Sequence, residues 1–208
     1  MAFRAWFPTF LYEAPLRAKG GAAFARELLE ECHRIRANDR EGRAWCRKHY
    51  PGGFTSYASM NRLHKGFSTF MEFERRVDRH VAAFVRRLEM DLGKGRLRMT
   101  TCWVNVMARH SAHSLHLHPL SVVSGTYYVK TPRGSSRIRF EDPRLERFMA
   151  APPRRRECRP ENRHHVTYPV EAGKVLLFES WLRHEVSSHP VAAERVSVSF
   201  NYEWASDT

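Results

Sequence analysis

The sequence predicts a mainly β fold with N-terminal helices: a cupin-like, double-sheet jelly roll carried on a helical buttress. Two observations lead there. From about residue 96 onward, short segments rich in β-branched and aromatic residues recur, separated by Pro, Gly and polar clusters such as Thr131-Pro132-Arg133-Gly134-Ser135-Ser136. Helical spacing of apolar residues, by contrast, is confined to the chain before that point. About eight short strands with the helices gathered at one end fit a jelly roll better than a regular β/α alternation. No internal repeat and no long linker interrupts the chain. Residues 1–208 therefore read as one domain, with 1–95 as the buttress and 96–208 as the jelly-roll core.

Residues 3–12 are aromatic-rich and extended in character, ending before a turn at Pro15. Residues 22–36 read as a helix, with Phe24, Leu28, Cys32 and Ile35 spaced three and four apart. Residues 37–67 carry turn chemistry, notably Pro51-Gly52-Gly53, and are expected to be irregular. A second helix follows, marked by a capping-box pattern of Thr69 and Glu72 and by an apolar stripe of Phe70, Phe73, Val77, Val81, Phe84 and Leu88. Gly93 suits its C-terminus. Strands are expected at 96–107, 122–130, 137–140, 165–170, 174–178 and 195–204, with two more segments around His116 and His184.

Composition narrows the classes. With 42% hydrophobic and 12% aromatic residues in 208, the chain can bury a proper core. No run of about 18 apolar residues is present, so no membrane span is expected. The N-terminus lacks the layout of a secretory signal, and the four cysteines (Cys32, Cys46, Cys102, Cys158) form no CxxC pair, which points to reduced thiols in the cytoplasm. The net charge of +13 rests mostly on arginine, since only six of the 35 basic residues are lysines. Those charges are dispersed, and the densest run, Pro152-Pro153-Arg154-Arg155-Arg156, falls in an expected loop. Nucleic acid is therefore not the expected partner. The charge does favour an anionic small molecule or an acidic peptide as substrate. The oligomeric state stays open, a homodimer included.

The chemistry gathers around His116-Leu117-His118-Pro119. On an extended segment, residues i and i+2 point to the same side, so both imidazoles can reach one metal ion. His184, after the segment 173–183, offers a third nitrogen. Further on, Arg195, Ser197, Ser199 and Asn201 alternate with Val196, Val198, Phe200 and Tyr202, giving one polar and one apolar face. If the polar face lines the interior, the arginine there needs a counter-anion, and a carboxylate ligand fits a guanidinium in two-pronged fashion. The remaining histidines have blander expectations. His110 and His113 read as surface loop residues, and the adjacent His164-His165 should place their rings on opposite faces. His33, His49, His64, His80 and His189 carry no pattern. Trp181 reads as a packing residue beside the mouth, and Ser121 and Ser124 as turn and strand residues.

At this point the sequence resembles the 2-oxoglutarate- and Fe(II)-dependent oxygenases, and more narrowly a bacterial branch of that superfamily. The matching pieces are Trp6-Phe7-Pro8-Thr9, Trp103-Val104-Asn105, His116-Leu117-His118-Pro119 and Ser124-Gly125-Thr126-Tyr127-Tyr128-Val129. They continue through Phe140-Glu141-Asp142-Pro143-Arg144, the stretch from Gly173 to His184, and Arg195-Val196-Ser197-Val198-Ser199-Phe200-Asn201. The resemblance implies a double-stranded β-helix with iron in its mouth, two histidines and one carboxylate being the usual ligands. Here His118 stands where relatives carry the acid. Either His116, His118 and His184 form a three-histidine site, or a carboxylate such as Glu141 or Asp142 supplies the oxygen. The resemblance further implies that Arg195 binds the distal carboxylate of 2-oxoglutarate with help from Ser197 or Tyr128. Asn105 and Asn201 would orient imidazoles or cosubstrate. Hydroxylation of a C–H bond in a small molecule or peptide, with release of succinate and CO2, is the implied reaction. Two other readings compete: a cupin-like three-histidine dioxygenase that uses no 2-oxoglutarate, and a basic, non-enzymatic binding module.

Overall fold

In the computed structural model, residues 1–16, 21–144 and 149–206 are described. Two antiparallel sheets face each other. The major sheet has six strands in the order β1-β8-β5-β10-β3-β2: β1 (Tyr12–Pro15), β8 (Lys174–Glu179), β5 (Val123–Lys130), β10 (Arg195–Ala205), β3 (Arg96–Met107) and β2 (Gly53–Thr55). The minor sheet runs β4 (His113–His116), β9 (His184–Val186), β6 (Ile138–Glu141) and β7 (His165–Tyr168). Sequence-distant strands are neighbours throughout, as a double-stranded β-helix requires. The expected strands all form, within about two residues at their ends. Two more come from the N-terminal part, because β1 and β2 complete the two edges of the major sheet.

The helices cover the outer face of the major sheet. Helix α1 (Gly21–Asn38) buries Phe24, Leu28, Cys32 and Ile35, the spacing read from the sequence. Helix α4 (Ser68–Arg87) buries Phe70, Phe73, Val77, Val81 and Phe84. The ring of Phe73 packs against Tyr127 of β5 at 5.7 Å and Phe200 of β10 at 5.6 Å, so α4 is seated on the centre of the sheet. Asp78 of α4 accepts a hydrogen bond from the Tyr202 hydroxyl at 2.6 Å, fixing the same helix to the far end of β10. Burial and Asp78 together push the Tyr202 phenol far above its usual range, so it remains a donor.

Three local expectations are corrected. Residues 37–67 are not irregular: they hold α2 (Arg40–His49), β2 and the short α3 (Leu63–Gly66). Asp39 caps α2 by accepting from Gly42 N at 2.8 Å, and the C-terminal turn carries Arg47, Lys48 and His49 where the helix dipole favours cations. Gly42 is needed there, since a Cβ would lie 2.1 Å from Asp39 Oδ2. The Thr69–Glu72 capping box does not form. Phe67 is the N-cap without a side-chain bond, Thr69 Oγ1 donates to Glu27 of α1 at 2.7 Å, and Glu72 pairs with Arg75 and Arg76. Nor does Gly93 end α4, which stops at Arg87. Glu89 takes the left-handed conformation just beyond, while Gly93 (φ +56°) serves the turn into β3.

No helix among the described residues is long and apolar enough to cross a membrane. The run at Arg154–Arg156 is exposed and lies outside helices and strands, as expected.

Two stability predictions follow from this packing. Phe73→Ala removes a fully buried ring between α4 and two central strands, and should lower unfolding stability by about 3–5 kcal/mol in urea titrations. His64 of α3 is almost fully buried, with Nε2 bonded to Met99 O at 3.0 Å, and burial pushes its pKa down to about 4. A histidine lowered on folding adds stability that is complete above its unfolded pKa near 6.5 and is lost as pH falls towards 4. His64→Gln should flatten that part of the acid-stability curve, measured as urea midpoint against pH.

Candidate active site

The polar face of β10 and the inner face of the minor sheet enclose a cavity of about 410 Å³. Arg195, Ser197, Ser199 and Asn201 all line it, as the alternation of β10 predicts. Across from them stand His113, His116, His118 and His184. Trp45 of α2, Thr55 and Tyr57 after it, and Trp103 of β3 form the wall towards solvent.

The three motif histidines meet. His116 ends β4 and pairs directly across from His184, which begins β9, and their rings lie 4.4 Å apart. His118 lies just past the strand and stacks on His116 at 5.3 Å. One nitrogen from each can be chosen so that all three lie within 4.8 Å of one another. Phe178 and Phe140 pack against the His184 ring at 4.6 and 5.9 Å, fixing its position from below.

Hydrogen bonds decide which nitrogen each ring offers. His116 Nδ1 lies 2.6 Å from Ser114 O, and His184 Nδ1 lies 2.9 Å from Leu182 O. A carbonyl only accepts, so both Nδ1 atoms carry the proton and both Nε2 lone pairs are free. His118 reaches the same state through side chains: its Nδ1 lies 2.5 Å from Asn201 Oδ1, an acceptor that also receives the Ser124 hydroxyl at 2.8 Å. Ser124 in turn contacts Ser180 at 2.7 Å, and His118 N donates to Ser180 O at 3.0 Å. Burial, with His116 next, pushes His184 down to about 3. Burial also lowers His118, although its bond to Asn201 works the other way. Both rings are thus neutral donors at physiological pH, the form that binds a metal.

The acidic alternative is not brought to this cluster. Glu141 belongs to a separate group with His164 and His165, and pairs with Arg183 at 3.1 Å; Asp142 pairs with Arg144. Phe140 explains the geometry. It points inward to His184, so the next residue on the strand points outward.

Arg195 is 3% exposed and, among the described residues, has no carboxylate partner. Its Nη1 sits 2.7 Å from Met107 Sδ, a weak acceptor, and its Nε has no hydrogen-bond partner at all. The guanidinium lies 5.1 Å over the Tyr128 ring, whose buried hydroxyl makes no well-formed hydrogen bond among the described residues and feels the Arg195 charge. A buried cation beside such a hydroxyl is costly unless an anion completes the site. Asn105 reaches Ser199 Oγ at 3.0 Å and contacts no histidine of the cluster. Its Oδ1 faces the buried interior without a partner.

Three residues around the site, Ser124, Ser180 and His113, were given no site role from the sequence. Ser124 is a strand residue of β5, as expected, and also joins the His118 network together with Ser180. His113 is no surface loop residue: it lines the cavity, stacks on Tyr50 at 4.7 Å and bonds its hydroxyl at 2.9 Å. Burial, then Arg195, pushes it down to about 3. Trp181 also differs from expectation, being 46% exposed at the turn after β8.

A jelly roll with three clustered imidazoles at its mouth and, further in, a buried arginine without a carboxylate partner among the described residues has the features of the non-haem oxygenases dependent on Fe(II) and 2-oxoglutarate. Residues 101–201, just under half of the chain, match the family model described as "Putative 2OG-Fe(II) oxygenase". No curated protein matches the sequence. Among solved structures, a Pseudomonas putida prolyl-4-hydroxylase is similar at 17% identity and TM-score 0.61, covering 94% of this chain and 92% of that one. HygX from Streptomyces hygroscopicus, crystallised with nickel, 2-oxoglutarate and hygromycin B, gives 18%, 0.59, 94% and 83%. The epimerase SnoN from nogalamycin biosynthesis gives 16%, 0.60, 94% and 76%. At these identities the likeness is one of fold.

Removing the acceptor beneath His118 should loosen the tautomer without touching the ring. Asn201→Leu should weaken Fe(II) or Co(II) binding about 10–100-fold in anaerobic titrations, while His116→Ala/His184→Ala abolishes it.

Proposed function

We propose that the protein hydroxylates a C–H bond of a small molecule or of a peptide side chain, converting 2-oxoglutarate and O2 to succinate and CO2. The observation that carries this reading is Arg195, buried, without a carboxylate partner among the described residues and in the same cavity as the three histidines. A three-histidine dioxygenase without 2-oxoglutarate has no use for such a cation, and a non-enzymatic binding module has none for the aligned tautomers.

Under this reading the Nε2 atoms of His116, His118 and His184 hold the metal on one side and leave the cavity side open. Arg195, the Tyr128 hydroxyl and Ser197 hold the distal carboxylate of the cosubstrate, and in doing so satisfy two buried groups that lack well-formed hydrogen bonds. The bound iron with 2-oxoglutarate supplies the oxidising chemistry. The chain contributes position, a dry pocket and charge. Three neutral imidazoles leave a divalent ion its full charge, whereas a carboxylate ligand would reduce it, so the dianionic cosubstrate is held more firmly.

Trp45, Tyr57 and Trp103 supply the substrate wall. Tyr57 and Trp103 meet edge to face at 4.9 Å, and Trp45 and Tyr57 are 40% and 50% exposed. Among the described residues no carboxylate lines the cavity, so a neutral or anionic substrate group fits better than a cationic one.

Anaerobic addition of Fe(II) and 2-oxoglutarate should give a weak visible charge-transfer band, and O2 should then yield succinate. Arg195→Leu should raise the 2-oxoglutarate concentration needed for the band at least 100-fold while Fe(II) binding is kept. Unchanged cosubstrate affinity in that variant would favour the cupin-like reading, and a product without added oxygen mass would rule out hydroxylation.

A further inference from the structure

A second group of metal-type donors lies behind the active-site wall. Glu141, at the end of β6, and His165, at the start of β7, are direct cross-strand partners, so their side chains share a face. His164 sits in a bend just before the strand and is not bound by strand alternation. Its ring turns to the same side and lies 4.4 Å from that of His165, against the expectation of opposite faces. One donor atom from each of the three residues lies within 4.8 Å of the others.

We propose that Glu141, His164 and His165 form a second, outer binding site for a borderline divalent ion such as Zn²⁺. Two imidazole nitrogens and one carboxylate oxygen are a usual zinc donor set, with water completing a tetrahedron. The carboxylate is prepared for this. Glu141 is 9% exposed; its Oε1 lies 3.6 Å from His165 Nε2, and Arg183 stands 3.1 Å from Oε2 as an ion pair without hydrogen-bond geometry. The ion can take Oε1 while Arg183 stays on Oε2, orienting the carboxylate from behind. Burial and Arg139 lower His165, which keeps its ring neutral and able to donate.

Two of the nearby arginines are offset by acids outside the site: Arg139 pairs with Glu185 at 2.6 Å and Arg144 with Asp142 at 3.0 Å. Arg183 stands on Glu141 itself, and Arg163, next to His164, donates to Cys158 O at 3.3 Å. The site is also separate from the histidines of the cavity, because Phe140, one residue before Glu141, points the opposite way onto His184. An ion bound outside would therefore clamp β7 to β6, the strand that pairs with β9 and carries the inner wall at His184.

The test is the zinc stoichiometry of the whole chain by equilibrium dialysis at pH 7.5. Wild type should hold one equivalent more than His164→Ala/His165→Ala, and this difference is independent of whether the inner histidines bind zinc. His164→Ala alone removes a single exposed ring and should weaken that equivalent at least tenfold, as should Glu141→Gln. His116→Ala/His118→Ala should retain it. The same zinc count in wild type and the double variant, or an outer equivalent retained only at millimolar zinc, would overturn the proposal. Melting curves recorded without metal establish that each variant is folded.

Discussion

The architecture depends on one strand whose two faces have opposite jobs. Strand β10 is hydrogen-bonded on both sides, to β3 and β5. Val196, Val198, Phe200 and Tyr202 belong to the core, seated on α4, while Arg195, Ser197, Ser199 and Asn201 line the cavity. A slip of one residue would exchange these faces entirely, putting an arginine into the aromatic core. Burial of two aromatic rings and two valines, each about 1.5–3 kcal/mol, holds the register, and the cavity inherits that precision. Register shifts occur at Val196/Ser197 against β5 and at Asn201/Tyr202 against β3. They stand at the two ends of the polar face, where Arg195 and Asn201 are aimed.

The electrostatics of the cavity are unbalanced by design of its residues. It contains a buried guanidinium and a group of imidazoles, two of them held neutral, and among the described residues no carboxylate. A metal ion alone would add positive charge to a chamber already holding Arg195, and a dianion alone would occupy one end of it. Bound together they would compensate one another's charge. Favourable coupling between the two ligands is the expected consequence, since each removes a penalty that the other would meet alone.

Much of this was legible in the sequence, for reasons that differ by element. The two-residue alternation of β10 and the three-to-four spacing of α1 and α4 are written in single segments, and those elements form as read. Helix α2 was missed because its apolar face is sparse; it buries only Gly42 and Cys46. Its Asp39 cap and basic last turn were the available signals, masked by Pro51-Gly52-Gly53. The capping box failed because Thr69 found a tertiary partner in Glu27, which no local pattern records. The same limit applies to the site. The metal-type histidines are visible as a motif, but Ser124, Ser180, His113 and the Trp45–Tyr57 wall enter only through contacts between distant strands and helices.

The hydrogen bonds below His118 bear on the departure from the usual carboxylate at that position. A degenerate site would be expected to leave the substituted residue in surroundings made for an acid. An aspartate at 118 would point its oxygens at Asn201 Oδ1, oxygen against oxygen, unless the amide turned over and gave up its bond from Ser124. Histidine presents an N–H to the same acceptor and needs no such change. Ser180 then supports Ser124 from the opposite side, and the backbone of His118 is tied to Ser180 as well. Three residues, Asn201 and Ser124 from two strands and Ser180 from the turn after β8, are arranged around an imidazole with its proton on Nδ1. Their geometry fits a histidine at this position, with its Nε2 left to face the other two rings.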